Sequence, residues 1–241
     1  MIWQTGRMSK ARGARERARA EITAEILASA REQLATVGAA GLSLRAVARD
    51  LGMVSSAVYR YVASRDELLT LLIIESYDAL GAAVEEAAAP RRGRRPAQRF
   101  LAAGRAVRTW ALEHPHEYAL LYGSPVPGYH APDATIGPAS RTTLALAGIV
   151  ADAHRDGQLD PERAIVQEVP SALRGDLANV RAVLGVELDD RVVASMLAAW
   201  TQLFGLVSFE LFGQTRNTIM HHATLFDATV LAMARGVGLA G

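Results

Sequence analysis

Between residues 42 and 69 the chain reads LSLRAVARDLGMVSSAVYRYVASRDELL, and its apolar residues recur at helical spacings in two short bursts. Leu44, Val47, Ala48 and Leu51 stand at i, i+3, i+4 and i+7, one face of a short helix, with Ser43 where an N-cap oxygen is needed. Gly52 ends this helix, since glycine adopts positive φ without steric penalty. A second short helix, Ser55 to Tyr61, turns Val58 and Val62 inward at i and i+4. Two short helices joined by a tight turn make a helix-turn-helix. Upstream, Ile22, Ile26, Leu27, Ala30, Leu34 and Val37 form the stripe of a helix running from about Glu16 or Ala20 to Val37, ended by Gly38 and Gly41. Downstream, Ser64 with Glu67 is a capping box, and a long helix follows from Arg65 to about Ala88.

The rest of the chain keeps the helical period. The run from Pro90 to Pro96, with four arginines, breaks it and reads as a solvated loop. Phe100, Leu101, Gly104, Val107, Arg108 and Leu112 share one helix, and Pro115 starts another. Loops are expected at 123–138 and 157–162. From Asp189 to Gly213 the apolar stripe is too broad for one intramolecular contact, so a second surface must cover it. With a last helix carrying Ile219, Phe226, Val230 and Met233, it suits an isologous four-helix interface between two copies, through about 189–213 and 218–236. Half the residues are hydrophobic, aromatics are few and alanine is abundant, which favours helix over sheet. The expected fold is all-α.

Charge adds an asymmetry. Up to Arg65 there are eleven basic residues against five acids, a balance of +6, whereas the remainder carries −5. A basic head on an acidic body directs attraction to phosphate towards the helix-turn-helix. Residues 1–19 hold six cations without apolar periodicity and read as a mobile basic arm, in which Arg7, Arg12 and Arg15 could lie along phosphates or enter a minor groove. The other reading is a solvated tail.

Other chemistries find little support. There is no cysteine, so thiolate metal sites and disulfides are excluded. His114 and His116 flank a proline, and His221 and His222 are adjacent, so neither pair shares a helix face; no metal site is expected. No HExxH, Walker loop, Rossmann glycine pattern or nucleophile elbow occurs, so neither an enzyme nor a cofactor is expected. Glu85-Glu86 and Asp189-Asp190 read as helix surface and helix start. No apolar run is taken to reach the roughly 18 residues that cross a bilayer, so a cytoplasmic protein with no membrane partner is expected.

The second short helix leaves Ser55, Ser56, Ala57, Tyr59 and Arg60 outside, small or hydrogen-bonding and free of long acids, a surface suited to a major groove. Residues 20–69, with Gly38 and Gly41, SLRAVARDLGM and VSSAVYRYVASRDELL, resemble the N-terminal domain of the tetracycline-repressor (TetR) family of transcriptional regulators. By that resemblance Ser43, Arg45, Ser55, Ser56, Ala57, Tyr59 and Tyr61 match DNA-contacting positions, and Arg65 matches a phosphate-contacting one. Ser56 and Ala57 are smaller than many family residues there. TWALEHPHEYALLYGSPVPGY and WTQLFGLVSFELFG are similar to the C-terminal domain of one branch of the family. The resemblance implies three parts: an arm at 1–19, a DNA-binding domain at 20–66, and an effector-binding and dimerisation domain at 67–241. It further implies a homodimeric repressor of operator DNA, released by a small-molecule effector through the long helix. Trp110, Tyr118, Tyr122, Trp200 and Phe204 are candidates for an apolar effector pocket, with Arg108, His114 or Gln202 as an orienting polar group; each aromatic also suits plain core. A reading from another class is a helical scaffold or ligand-binding dimer whose basic head binds DNA without reading sequence.

Overall fold

The computed structural model describes the backbone of residues 5–90 and 93–241 and the side chains of residues 15–90 and 93–241. Among these residues there are ten α-helices and no β-strand, only one isolated bridge between Leu159 and Leu239. They form two compact units, one of residues up to Ser76 with His116–Thr135, the other of Tyr77–Pro115 with Ile136–Gly241.

The first unit is built on α1 (Thr5–Val37), α2 (Leu44–Asp50), α3 (Ser55–Val58) and the first part of α4 (Arg65–Ala88). Ile26, Val47, Val58, Val62 and Leu68 are wholly buried in its core. Each fully buried aliphatic side chain of this core contributes about 1.5–3 kcal/mol. The capping expectations hold. Ser43 Oγ accepts from Ala46 N at 3.5 Å, Gly52 sits at φ 65°, and Glu67 N donates to Ser64 Oγ at 3.0 Å.

Three expectations change here. α1 begins at Thr5, not near Glu16 or Ala20, because the Arg, Ala, Glu and Lys that precede the apolar stripe are good helix formers. The expected arm is thus helical from Thr5; the side chains of Arg7 and Arg12 lie outside the described residues. α3 closes at Val58, and residues 59–61 continue as turns whose Tyr61 N donates to Val58 O at 2.9 Å. Third, the stretch after Pro115 joins this unit: from α6 (Pro115–Tyr122) and the loop beyond it, Leu120, Val126 and Tyr129 pack against the core, and the Tyr129 hydroxyl shares a 2.9 Å hydrogen bond with Thr70 Oγ1.

The second unit contains the later part of α4, α5 (Pro96–Glu113), α7 (Ile136–Arg155), α8 (Arg174–Leu184), α9 (Asp190–Leu211) and α10 (His222–Val237). α10 packs on α5 and α9, and α7 on α5 and α8. Bidentate arginine–carboxylate pairs tie the helices. Arg105 bonds Asp227 at 2.8 and 2.6 Å, and Arg141 bonds Glu85 at 2.8 and 2.6 Å while its Nη1 reaches Asp78 at 2.7 Å. Asp189 caps α9 by accepting from Arg191 N at 2.8 Å, as the paired acids there suggest. The loops shift: α7 starts at Ile136, whereas no α-helix forms from Asp156 to Leu173, where Pro161 opens one short 3-10 turn and Pro170 precedes another at Ser171–Leu173. Ile219 precedes the last helix instead of lying in it.

α9 also corrects the expectation that no run suffices to cross a membrane. Residues 192–209 carry no charge, and the helix is long and apolar enough by length and composition. Its Ser, Thr and Gln interrupt an apolar count without adding charge. Val192, Val193, Leu203 and Val207 are buried in the unit's core, the placement of a core helix.

Candidate nucleic-acid interface

The turn between α2 and α3 fixes which side chains face outward. Met53 N donates to Ala48 O at 2.8 Å and Gly52 N to Arg49 O at 3.1 Å, closing α2, and Ala57 N donates to Val54 O at 2.9 Å, opening α3. With Val58 and Val62 buried, Ser55, Ser56, Tyr59 and Arg60 are exposed and Ala57 is half-buried. Tyr59 is 45% exposed, a large aromatic that the core does not use. Arg45 projects from α2 and is exposed, while Ser43 is half-buried because its hydroxyl serves the cap. Hydroxyls, a phenol and guanidinium groups on one short-helix surface are the donors and acceptors that major-groove base edges and phosphates match.

Two residues behind this surface hold it. Gln33 of α1 is buried; its Nε2 donates to Asp50 Oδ2 at 3.3 Å and its Oε1 accepts from Ser43 N at 3.2 Å, so one amide spans α2 from cap to end. Arg65 Nη2 donates to the carbonyls of Ala39 and Ala40 at 2.9 and 3.1 Å. The side chain matched to a phosphate contact is therefore engaged with the α1–α2 turn. Neither role has a local sequence signature, since both join residues far apart in the chain. Tyr61 is half-buried against the core, and Arg19 Cζ lies 5.5 Å from its ring centroid.

The candidate effector residues divide between the units. In the second, Arg108 forms a bidentate pair with Glu210 at 2.8 and 2.5 Å and lies 5.7 Å from the Phe226 ring centroid. Trp110 is buried with its ring centroid 5.1 Å from that of His114, and Trp200 meets Phe204 edge-on at 6.1 Å. In the first, Tyr118 is wholly buried and stacks at a tilt on Tyr122, centroids 5.0 Å apart. No group of three or more metal-ligating side chains occurs among the described residues.

Comparison with known proteins matches this arrangement along most of the chain. A family model described as bacterial regulatory proteins, tetR family, matches residues 26–72, and one described as the tetracyclin repressor-like C-terminal domain matches residues 100–233. The HTH-type transcriptional regulator Rv1816 of Mycobacterium tuberculosis strain H37Rv is 46% identical over 227 residues, covering 93% of this chain and 94% of that protein. The regulator Mb1846 of Mycobacterium bovis matches to the same extent. Among solved structures, that described as regulatory protein SCO4313 is 34% identical with a TM-score of 0.73, covering 90% of this chain and 97% of that one. PfmR of Thermus thermophilus, at 16% identity, 88% and 97% coverage and a TM-score of 0.56, shares the fold.

Proposed function

Because this chain belongs to the TetR family of bacterial transcriptional regulators, we propose that it is a homodimeric repressor that occupies an operator until a small molecule bound in its C-terminal part releases it. It is a DNA-binding regulator. The observation that carries the reading is the exposed surface of Ser55, Ser56, Tyr59 and Arg60 above a sealed apolar core. A core that buries Val58 and Val62 completely fixes the polar side of α3, and a fixed polar side is what sequence reading needs. Arg45, Ala57 and Tyr61 extend the contact surface, with Ser43 at its edge and Arg65 bracing the turn behind it.

Residues 20–66 carry this reading head, and 67–241 the effector and dimer functions. Two heads about 34–36 Å apart would read half-sites one helical turn apart, which requires a second copy. The broad apolar surface of α9 and α10 supports that requirement, with Trp200, Phe209 and Leu225 exposed. Within the second unit the pairs Trp110–His114 and Trp200–Phe204 remain the candidate effector positions; Arg108, already held by Glu210, would orient a polar group only as half of that ion pair. The family supports a cytoplasmic location beside the DNA.

The test is selection of genomic fragments on the full-length protein, followed by release of the recovered duplex by candidate small molecules. A repressor of this kind yields a two-fold symmetric site upstream of a gene whose transcript falls when the protein is supplied. Recovery of no preferred fragment, or a rise in that transcript, would overturn the reading.

A further inference from the structure

The face of α1 that covers the helix-turn-helix does not end where the core ends. Ile22 and Ile26 pack on the first unit's core, and the same face one and two turns earlier carries Arg19 and Arg15, at spacings of three and four residues. Both arginines are exposed, and Arg19 lies over the Tyr61 ring at 5.5 Å, so this basic extension runs beside the end of the recognition segment. Arg17 lies about 200° away from each around the helix, on the other side.

We propose that Arg15 and Arg19 form a rigid phosphate-binding stripe, so that the N-terminal extension contacts DNA as a continuous helix face. The proposal rests on the reading of the head as a DNA-binding surface and adds a second contact to it. Three features favour an ordered face over diffuse tail charge. Helical backbone runs unbroken from Thr5 into the core-bound stripe, so Arg15 and Arg19 are held in register with Ile22 and Ile26. Arg19 is positioned by an aromatic ring. Both residues stand on the head, the part of the chain with the +6 balance. Phosphate is the matching partner, because guanidinium forks bind its oxygens in pairs and two such groups a turn apart fit successive phosphates.

The experiment measures affinity against salt for the native protein, Arg15→Ala, Arg19→Ala, Arg19→Lys and Arg17→Ala. Each is tested on a duplex selected by the protein and on one of random sequence. Each phosphate contact contributes about 0.9 to the slope of log K against log salt. Arg15→Ala and Arg19→Ala are expected to lower the slope by roughly that amount per protomer on both duplexes, Arg19→Lys to keep most of it, and Arg17→Ala to leave it unchanged. Thermal unfolding should be unchanged in Arg15→Ala and Arg17→Ala, whose side chains are exposed, and fall only slightly in Arg19→Ala, which loses its contact with Tyr61. An unchanged slope in the Arg15→Ala and Arg19→Ala proteins, or an equal fall in Arg17→Ala, would overturn the stripe. Failure to obtain a preferred duplex would count against the sequence-reading function alone, because the stripe is still measured on random DNA.

Discussion

Gln33 is a buried side chain whose amide satisfies two groups belonging to one neighbouring helix, Ser43 N and Asp50 Oδ2. Removing it leaves a backbone donor and a carboxylate without those bonds and a gap between α1 and α2. We expect Gln33→Ala to lower stability by about 1–3 kcal/mol in urea unfolding, chiefly from the Ser43 N–H left unpaired, since the exposed Asp50 carboxylate keeps solvent and Ser29. A change below about 0.5 kcal/mol would mean that solvent replaces both bonds. The exposed residues of α3 were legible from the 3.6-residue period, because the inward Val58 and Val62 fix where Ser55, Ser56 and Tyr59 go. Gln33 and Arg65 were not. Their partners lie at sequence separations of 10, 17, 25 and 26, where no periodicity operates.

Among the elements, α4 is gripped along its C-terminal half. Arg141 of α7 lies across it, bonding Asp78 and Glu85, which stand seven residues apart on one face with Gly81 between them. A Cβ on Gly81 would stand 2.7 Å from Arg141 Cβ, so the glycine is what lets the arginine lie there. Alanine is normally the better helix residue by about 1 kcal/mol, yet Gly81→Ala should destabilise the protein in thermal unfolding, because overpacking commonly costs about 1–3 kcal/mol. A gain in stability would show that the two helices move apart freely. The Arg141 hydrogen bonds hold the Glu85 carboxyl below its usual range. A lowered folded-state pKa gives stability that is present above the ordinary carboxylate pKa of about 4.3 and is lost as pH falls below it towards the folded value. Arg141→Met should therefore flatten the decline in thermal midpoint as the pH falls below the ordinary carboxylate pKa of about 4.3; an unaltered decline would place the acid sensitivity elsewhere.

Helix boundaries were legible where a cap or glycine marks them, as at Ser43, Gly52 and Ser64. The start of α1 was not, because good helix formers without apolar period carry no stripe. Nor was the return of residues 116–135 to the first unit, since Leu120, Val126 and Tyr129 show only that something covers them.

For the molecule as a whole, the exposed apolar side of α9 and α10 bears on assembly. Leu197 and Trp200, three residues apart on α9, are each 37% exposed, while Val192, Leu203 and Val207 of the same helix are buried in the core. A charge in such a surface must be desolvated when a second copy covers it. Trp200→Glu is expected to shift sedimentation from dimer to monomer and to weaken operator binding with it; a dimer of unchanged affinity would mean that another surface joins the protomers. The distribution of charge was fully legible in the sequence.

If the exposed face of α3 and of the turn that continues it reads sequence, Tyr59→Ala is the sharpest probe, because Tyr59 is exposed and its loss leaves the core intact. The measurement is anisotropy of the native protein and this variant on a selected duplex and its scrambled counterpart at two salt concentrations. Native protein should prefer the selected duplex by roughly 10³-fold or more at both salts. The variant should lose most of that preference while keeping its salt-dependent binding to the scrambled duplex. Equal affinity of the native protein for both duplexes, falling alike with salt, or full preference retained by Tyr59→Ala, would contradict the account.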